Sequence, residues 1–372
     1  MKNIKQPNTG ALASPIDPRD WPLAAAGAST TYPKEAFIDQ SFMFVTMQDT
    51  HGCCVGCTGE EGLRKMFYVK TGVQEELSFR FLYAMAKCLE GTKGYEQFPR
   101  TLGPNDGTYP ALMAQVMRKY GTCLAKFCPN DTKLSSEDFC YGRKLSNIPA
   151  AAIEDAAKRK SGADFAVPVS VDGIKQAINY AKDNNGIVMI LRRVGDTYWK
   201  DKNGNSTWDK NRILPIRAPQ IVSSGHEEFL YGYDEEPGTG RIRLYWLNSW
   251  STEWADNGRA WEYLDEWIHL IGELRVVVAE VPAVDTFKYN FKNTLKKGQK
   301  GGDVVALQHA LKLEGCFDYP TFTGTFGDVT FKGVIKFQEK YKSEILTPNG
   351  LKKGTGFVGA ATLKKLNALY GA

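Results

Sequence analysis

The order of hydrophobic periodicities along the chain constrains its fold more than any other feature. Up to residue 185 the apolar residues recur at helical spacing. In LSFRFLYAMAKCLEG, residues Leu77, Phe81, Leu82, Met85 and Leu89 share one helical face. GCCVGCTGEEGLRKMFYVKTG reads as a helix that stops near Gly72, PALMAQVMRKYG as one ending at Gly121, and VDGIKQAINYAKDNNG as another. Beyond them the pattern changes to short strands: GIVMILRRV, EEFLYGYD, RIRLYWLN and ELRVVVAEV. Helices first and strands later predict an α+β domain with two halves.

A length of 372 residues leaves room for more than that domain. Residues 1–34, rich in Pro, Ala, Gly and Ser, read as an extended arm; 35–280 as the main domain; 281–294 as a linker; 295–372 as a small helical unit. In that unit DVVALQHALKLEG reads as a helix capped by Asp303 and stopped at Gly315. FKGVIKFQEKY and ATLKKLNALYG supply two more helices. Each follows a copy of one motif: TGTFGDVT and TGFVGAAT share TG-x-[FV]-G-x-x-T, 32 residues apart.

Charge separates the same segment. Residues 288–372 hold 14 Lys, no Arg and six acids, while the whole chain nets only +5. Such asymmetry fits a separate module with an anionic or polymeric partner, or a solvated lysine-rich surface. No apolar run approaches the ~18 residues of a membrane helix. The N-terminal stretch MKNIKQPNTGALASPIDPRDWPL has no apolar core, so it does not read as a signal peptide. Neither a membrane nor a nucleic-acid partner is expected.

Three of the eight cysteines crowd into QDTHGCCVGCTGEEG, residues 48–62. His51, Cys53, Cys54 and Cys57 supply enough atoms for zinc, but adjacent cysteines serve one ion poorly and no second short-spaced pair exists. Cys54-x-x-Cys57 as a redox pair lacks its usual strand–helix–strand context. Small residues packed in a buried helix are the structural alternative. The remaining reading is a nucleophile at a helix N-terminus, where the dipole stabilises a thiolate. It requires a histidine base and a third group to orient that base. Of the four histidines, His309 lies in the C-terminal unit, His51 shares a turn with Cys54, and His269 in DEWIHLIG reads as packing. His226, opening a strand in SSGHEEFLYGYD, is the best-placed base, and Asn248 in YWLNSWSTEW ends the next strand among tryptophans. This chemistry calls for no cofactor and no metal. DKNGNSTWDKN, residues 201–211, has the composition of a calcium loop but lacks its glycine and acid positions, and reads as a hairpin turn.

Taken in order, these residues resemble the papain-like cysteine peptidases, especially their bacterial branch, over roughly residues 15–280. Gln48 stands six residues before Cys54, and Gly52-Cys53-Cys54-Val55-Gly56 stands where that family has Gly-Ser-Cys. Gly232-Tyr233 follows His226 by six residues, and Asn248-Ser249-Trp250, Trp254 and Asn257-Gly258 resemble the family's asparagine segment. SPIDPRDW and LSFRFLY resemble stretches of bacterial members. The resemblance implies a two-lobed fold. It implies Cys54 as thiolate nucleophile, His226 as ion-pair partner and acid, and Asn248 as its orienter. It also implies Gln48 with the Cys54 N–H as oxyanion donors, and Trp250 as cover of the His226–Asn248 contact. The departures are His51 at the place of a disulfide cysteine, Ser251 in place of a glycine, and Glu227 and Glu228 after the histidine in place of small apolar residues. Gaps of 172 and 194 residues from Cys54 to His226 and Asn248 imply inserted loops. By strand alternation Glu228 would share a face with His226, there to raise its pKa or shape the cleft. No long helical propeptide precedes residue 35, although the N-terminal arm is able to cover the cleft.

The C-terminal unit resembles the peptidoglycan-binding type 1 domain, a three-helix fold, over residues 295–370. The motif appears as Leu295, Gly298, Gly301 or Gly302, Asp303, Val304, Leu307 and Gln308. The two resemblances together imply a cysteine endopeptidase that acts outside the cytoplasm and is tethered to the cell wall through residues 295–372. The alternatives are a hydrolase of wall peptide cross-links, released by lysis or by a phage, and a catalytically silent wall-binding or virion protein.

Overall fold

The computed structural model describes residues 9–15, 23, 32–39, 44–195, 216–279, 289–317 and 322–371. The 201–211 turn, and most of the 1–34 arm and the 281–294 linker, lie outside them. The chain divides into two compact units, one ending at Val281 and one running on from Pro282.

In the first unit the helices come early: α1 (Cys54–Thr71), α2 (Phe79–Leu89), α3 (Pro110–Lys119), α4 (Ser136–Phe139), α5 (Ala150–Ala156) and α6 (Val171–Asp183), with a short α7 (Leu264–Trp267) later. The strands are β1 (Glu35–Phe37), β2 (Ala163–Ala166), β3 (Gly186–Gly195), β4 (Val222–Glu235), β5 (Ile242–Leu247), β6 (Arg259–Tyr263) and β7 (Ile271–Val278). They form one sheet in the order β2-β7-β3-β4-β5-β6, every pairing antiparallel, and β1 pairs with β4 where β3 has ended. This is the α+β arrangement expected from the two periodicities. Strands β1, β2 and β6 span only three to five residues, too few for an alternation to stand out in sequence.

Helix α1 shows why its sequence is so poor in large side chains. A Cβ on Gly56 would meet the Phe79 carbonyl oxygen of α2 at 2.9 Å. One on Gly59 would press on Leu82 and Met113, and one on Gly62 would run into Ile187 of β3. Glycines three apart therefore let α2, α3 and the sheet close onto successive sides of one buried helix. The helix ends where expected, with Gly72 left-handed at φ 69° and its N–H on the Tyr68 carbonyl at 2.8 Å. Ser78 caps α2 by accepting the Phe81 N–H at 2.9 Å. His269 departs from expectation: it lies exposed on a 3-10 turn, and Trp267 and Leu270 beside it provide the packing.

The second unit holds α8 (Gly302–Leu313), α9 (Asp328–Lys340), a short α10 (Lys342–Ile345) and α11 (Ala360–Tyr370) around Leu307, Leu311, Phe326, Val334, Phe337 and Leu366. Gly301 occupies the N-cap position of α8, so Asp303 is not the cap. Its carboxylate instead accepts the Tyr289 hydroxyl and the Asn293 amide, tying the entering chain to the first turn. The repeated TG-x-[FV]-G-x-x-T loops are held alike. Gln308 of α8 accepts the Gly324 N–H at 3.0 Å and donates to the Thr325 carbonyl and the Thr330 hydroxyl. Gln338 of α9 accepts the Gly356 N–H at 3.1 Å and donates to the Phe357 carbonyl and the Thr362 hydroxyl. Each buried glutamine clamps one loop from the preceding helix. No helix among the described residues is long and apolar enough to cross a membrane.

Candidate active site

Cys54 is the first residue of α1, with Cys53 at the cap position and no acid in the first turn. The helix dipole therefore points its positive end at the thiol. His226 lies on β4 and Asn248 just past the end of β5. His226 Nε2 and Asn248 Oδ1 are 2.8 Å apart, and Trp250 stacks on the imidazole at 5.1 Å. All four side chains are fully buried. With Nε2 bonded to an amide oxygen, that nitrogen carries the proton.

Gln48 is locked to the asparagine loop. Its backbone N–H donates to the Ser249 carbonyl at 3.0 Å, its Oε1 accepts the Ser249 hydroxyl at 2.5 Å, and its Nε2 donates to the His51 carbonyl at 3.0 Å. Met47 and Trp250 form an isolated β-bridge, and Ser251 donates its N–H to Thr46 at 2.9 Å. Ser251 takes φ 65°, the left-handed region where a glycine is easier. Gly52 donates its N–H to Asn105 Oδ1 at 2.7 Å, and a Cβ there would strike the Asn105 carbonyl. His51 stacks on Phe139 at 4.1 Å with Nε2 3.2 Å from the Thr132 carbonyl, so it packs away from Cys54. Cys53 Sγ lies 4.0 Å from Cys57 Sγ. The crowded cysteines thus divide into one thiol at the helix tip and two packed behind it.

Glu228 shares the His226 face but is engaged elsewhere. It is fully buried and pairs with Arg192, which also bonds Glu262 beneath Trp246 and Trp267. Its carboxylate stands 4.0 Å from His226 Nε2 while bound to the Arg192 guanidinium. Burial lowers the His226 pKa to about 3; the Asn248 bond opposes this and Arg192 adds to it. Burial likewise pushes the Cys54 thiol up to about 12, against hydrogen bonds from the backbone of Glu227 and Gly10. Burial in this covered state thus favours the neutral form of both groups.

The cover is residues 9–15, whose role the sequence left open. Thr108 donates its N–H to the Gly10 carbonyl at 2.9 Å and accepts the Leu12 N–H at 3.0 Å. Ala11 donates to the Gly225 carbonyl at 3.1 Å, one residue before His226, and the Thr9 and Ser224 hydroxyls touch. Farther along, the Ser14 N–H donates to Glu273 Oε2 at 2.9 Å. Gly10 crosses where Gly52 and Gly107 meet; a Cβ on it would lie 2.6 Å from the Gly52 carbonyl oxygen and 2.9 Å from Gly107 Cα. The three glycines in GALA, HGCC and NDGT are the sequence signal of this crossing.

Residues 300–366 match the family model of a peptidoglycan binding domain. No curated protein matches the chain. Among solved structures the chain is similar to xylellain, a cysteine protease from Xylella fastidiosa, at 18% identity and TM-score 0.56, covering 76% of this chain and 99% of that one. It is also similar to digestive procathepsin L 3 of Tenebrio molitor larval midgut, at 12% identity and TM-score 0.48 over 71% and 75% of the two chains. ProCathepsin B S9 from Trypanosoma congolense gives 14% identity and TM-score 0.48 over 73% and 86%. The chain therefore joins a papain-like cysteine-protease fold to a C-terminal peptidoglycan-binding domain.

Proposed function

We propose that the first unit is a cysteine endopeptidase and that the second holds it on peptidoglycan. The observation that carries the reading is the 2.8 Å contact between His226 Nε2 and Asn248 Oδ1 beneath Trp250, on the strand whose backbone also reaches the Cys54 sulfur. When residues 9–15 leave, water and substrate replace them and the burial that keeps both groups neutral is relieved. The Cys54 proton then passes to His226 Nδ1, and the thiolate attacks the scissile carbonyl. The Cys54 N–H and the Gln48 amide stabilise the oxyanion. His226 returns its proton to the leaving amine, freeing the acyl-enzyme for water, which His226 activates in turn. Asn248 keeps the imidazole in the tautomer and orientation that both steps need, and Trp250 shields that bond. The match to a peptidoglycan-binding domain supports a cell-wall context for the action, where tethering would raise the local concentration of substrates. It equally favours wall peptides as the substrate. The test is a pair of variants on a small peptide amide: Cys54→Ala should abolish hydrolysis and Cys53→Ser should leave most of it. A dead Cys53→Ser beside an active Cys54→Ala would put the nucleophile at the wrong residue.

A further inference from the structure

Glu227 is the charged residue of this cleft that nothing described above employs. It follows His226 directly, is fully buried, and neither of its carboxylate oxygens has a hydrogen-bond partner among the described residues. It stands across from Leu191 on one side, and Glu273 stands across from Leu191 on the other, so both carboxylates rise from the same face of the sheet. That face lies under the covering segment, since Ser14 N–H sits on Glu273 Oε2 and the Glu227 backbone reaches the Cys54 sulfur.

Among the described residues the surrounding ion pairs leave Glu227 out. Asp164 is bound by Arg118 at 3.0 Å and by Arg275 at 2.9 Å, and Arg275 also reaches Glu273 Oε1 at 3.3 Å. Among the described residues three carboxylates, Asp164, Glu273 and Glu227, thus face these two guanidiniums, and Glu227 is the one with no hydrogen bond to either, although Arg275 is near enough to pull its carboxyl down. Arg192, on the opposite face, is taken by Glu228 and Glu262. A buried carboxylate in this position is costly unless it is protonated or paired. Burial, then the neighbouring carboxylates Glu273 and Glu228, push the Glu227 carboxyl up against the pull of Arg275 and Arg192, which favours its neutral form while the cleft is covered.

We propose that Glu227, supported by Glu273, is the specificity-determining group of the cleft and pairs with a positively charged side chain, an amine or a guanidinium, on the acyl side of the scissile bond. The covering segment places an uncharged backbone donor, the Ser14 N–H, on this acidic floor; a substrate's cation completes the pairing that the segment leaves unmade. This inference rests on the peptidase reading and names its substrate class.

The test is positional scanning of the two residues before the cut, comparing lysine, arginine, norleucine and glutamate in otherwise identical peptides with the full chain. The expected kcat/KM for lysine or arginine exceeds that for norleucine by ~10-fold or more at one position, the size of one charge-assisted hydrogen bond. Glu227→Gln should collapse that ratio toward one, and Glu227→Lys should turn the preference toward glutamate. Norleucine-peptide hydrolysis in the same preparations reports that each variant is folded. An unchanged ratio in Glu227→Gln, or no preference in the wild type while the norleucine peptide is cut, overturns the assignment alone. No hydrolysis of any peptide sinks the peptidase reading and this inference with it.

Discussion

Gly10→Ala should uncover the active site. The added methyl group would fall 2.6 Å from the Gly52 carbonyl oxygen, 2.8 Å from Gly52 Cα and 2.9 Å from Gly107 Cα. All three are backbone atoms of the cleft wall, so no side chain can swing aside. Three main-chain bonds at 2.9, 3.0 and 3.1 Å to Thr108 and Gly225 hold the stretch around Gly10, between the Thr9–Ser224 contact and the Ser14–Glu273 bond. At a net ~0.5–1.5 kcal/mol each they hold the cover with about 1.5–4.5 kcal/mol. Removing that bias should raise the uncovered fraction, and with it kcat/KM, by ~10- to 10³-fold. The same change should alter thiol chemistry. A thiol held up to about 12 is protonated throughout the neutral range, so alkylation of covered Cys54 should climb only in strong alkali. In Gly10→Ala the burial that raises the pKa is lost, and the pH profile should move down. The assay is iodoacetamide labelling of Cys54 across pH, read by peptide mass spectrometry, beside kcat/KM on a peptide amide. Equal labelling profiles and equal kcat/KM in the two proteins would refute the reasoning.

Gln48→Ala should lower kcat by ~10²–10³-fold on a peptide amide, the usual loss for one oxyanion donor; a drop below threefold would remove Gln48 from that role. Gln308→Ala should lower the melting temperature of the second unit by ~10 °C or more in calorimetry of the full chain, because it strands the Gly324 N–H at ~1–3 kcal/mol and removes the bonds to the Thr325 carbonyl and the Thr330 hydroxyl at ~0.5–1.5 kcal/mol each. Gln338→Ala should match it, since it clamps the equivalent loop. Deleting residues 290–372 should abolish pelleting with purified sacculi while peptide cleavage persists; unchanged pelleting would remove the wall-binding role.

The periodicities made the large elements legible, because a helix such as α2 or a strand such as β3 repeats its pattern several times over. The duplicated threonine–glycine motif was visible too, but the pairing of Gln308 with Gln338 was not. The two glutamines lie 30 residues apart and the loops they hold lie 32 apart, so a single repeat offset hides their equivalence. Asp303 was misread because an acid near a helix start serves as a cap or as an anchor for an incoming chain, and only Tyr289 and Asn293 distinguish these. Spacing drew attention to Cys54, His226, Asn248 and Gln48, and the structure brings His226, Asn248 and Trp250 into one buried cluster. What spacing could not supply was charge context. Glu228 is paired with Arg192, a cross-strand neighbour of His226 brought there from 34 residues upstream, while the Glu227 carboxylate, one position earlier, has no hydrogen-bond partner among the described residues. Burial beneath residues 9–15, which favours neutral Cys54 and His226, is a tertiary effect with no local signal beyond three glycines.

The most direct test of the central claim is a paired digestion, wild type against Cys54→Ala, of denatured casein and of purified peptidoglycan under reducing conditions. The account predicts new amino termini that depend on Cys54, from casein for a wall-tethered protein peptidase and from peptidoglycan if wall peptides are its substrate. Neither substrate cut by the wild type, or both cut equally by Cys54→Ala, would contradict it.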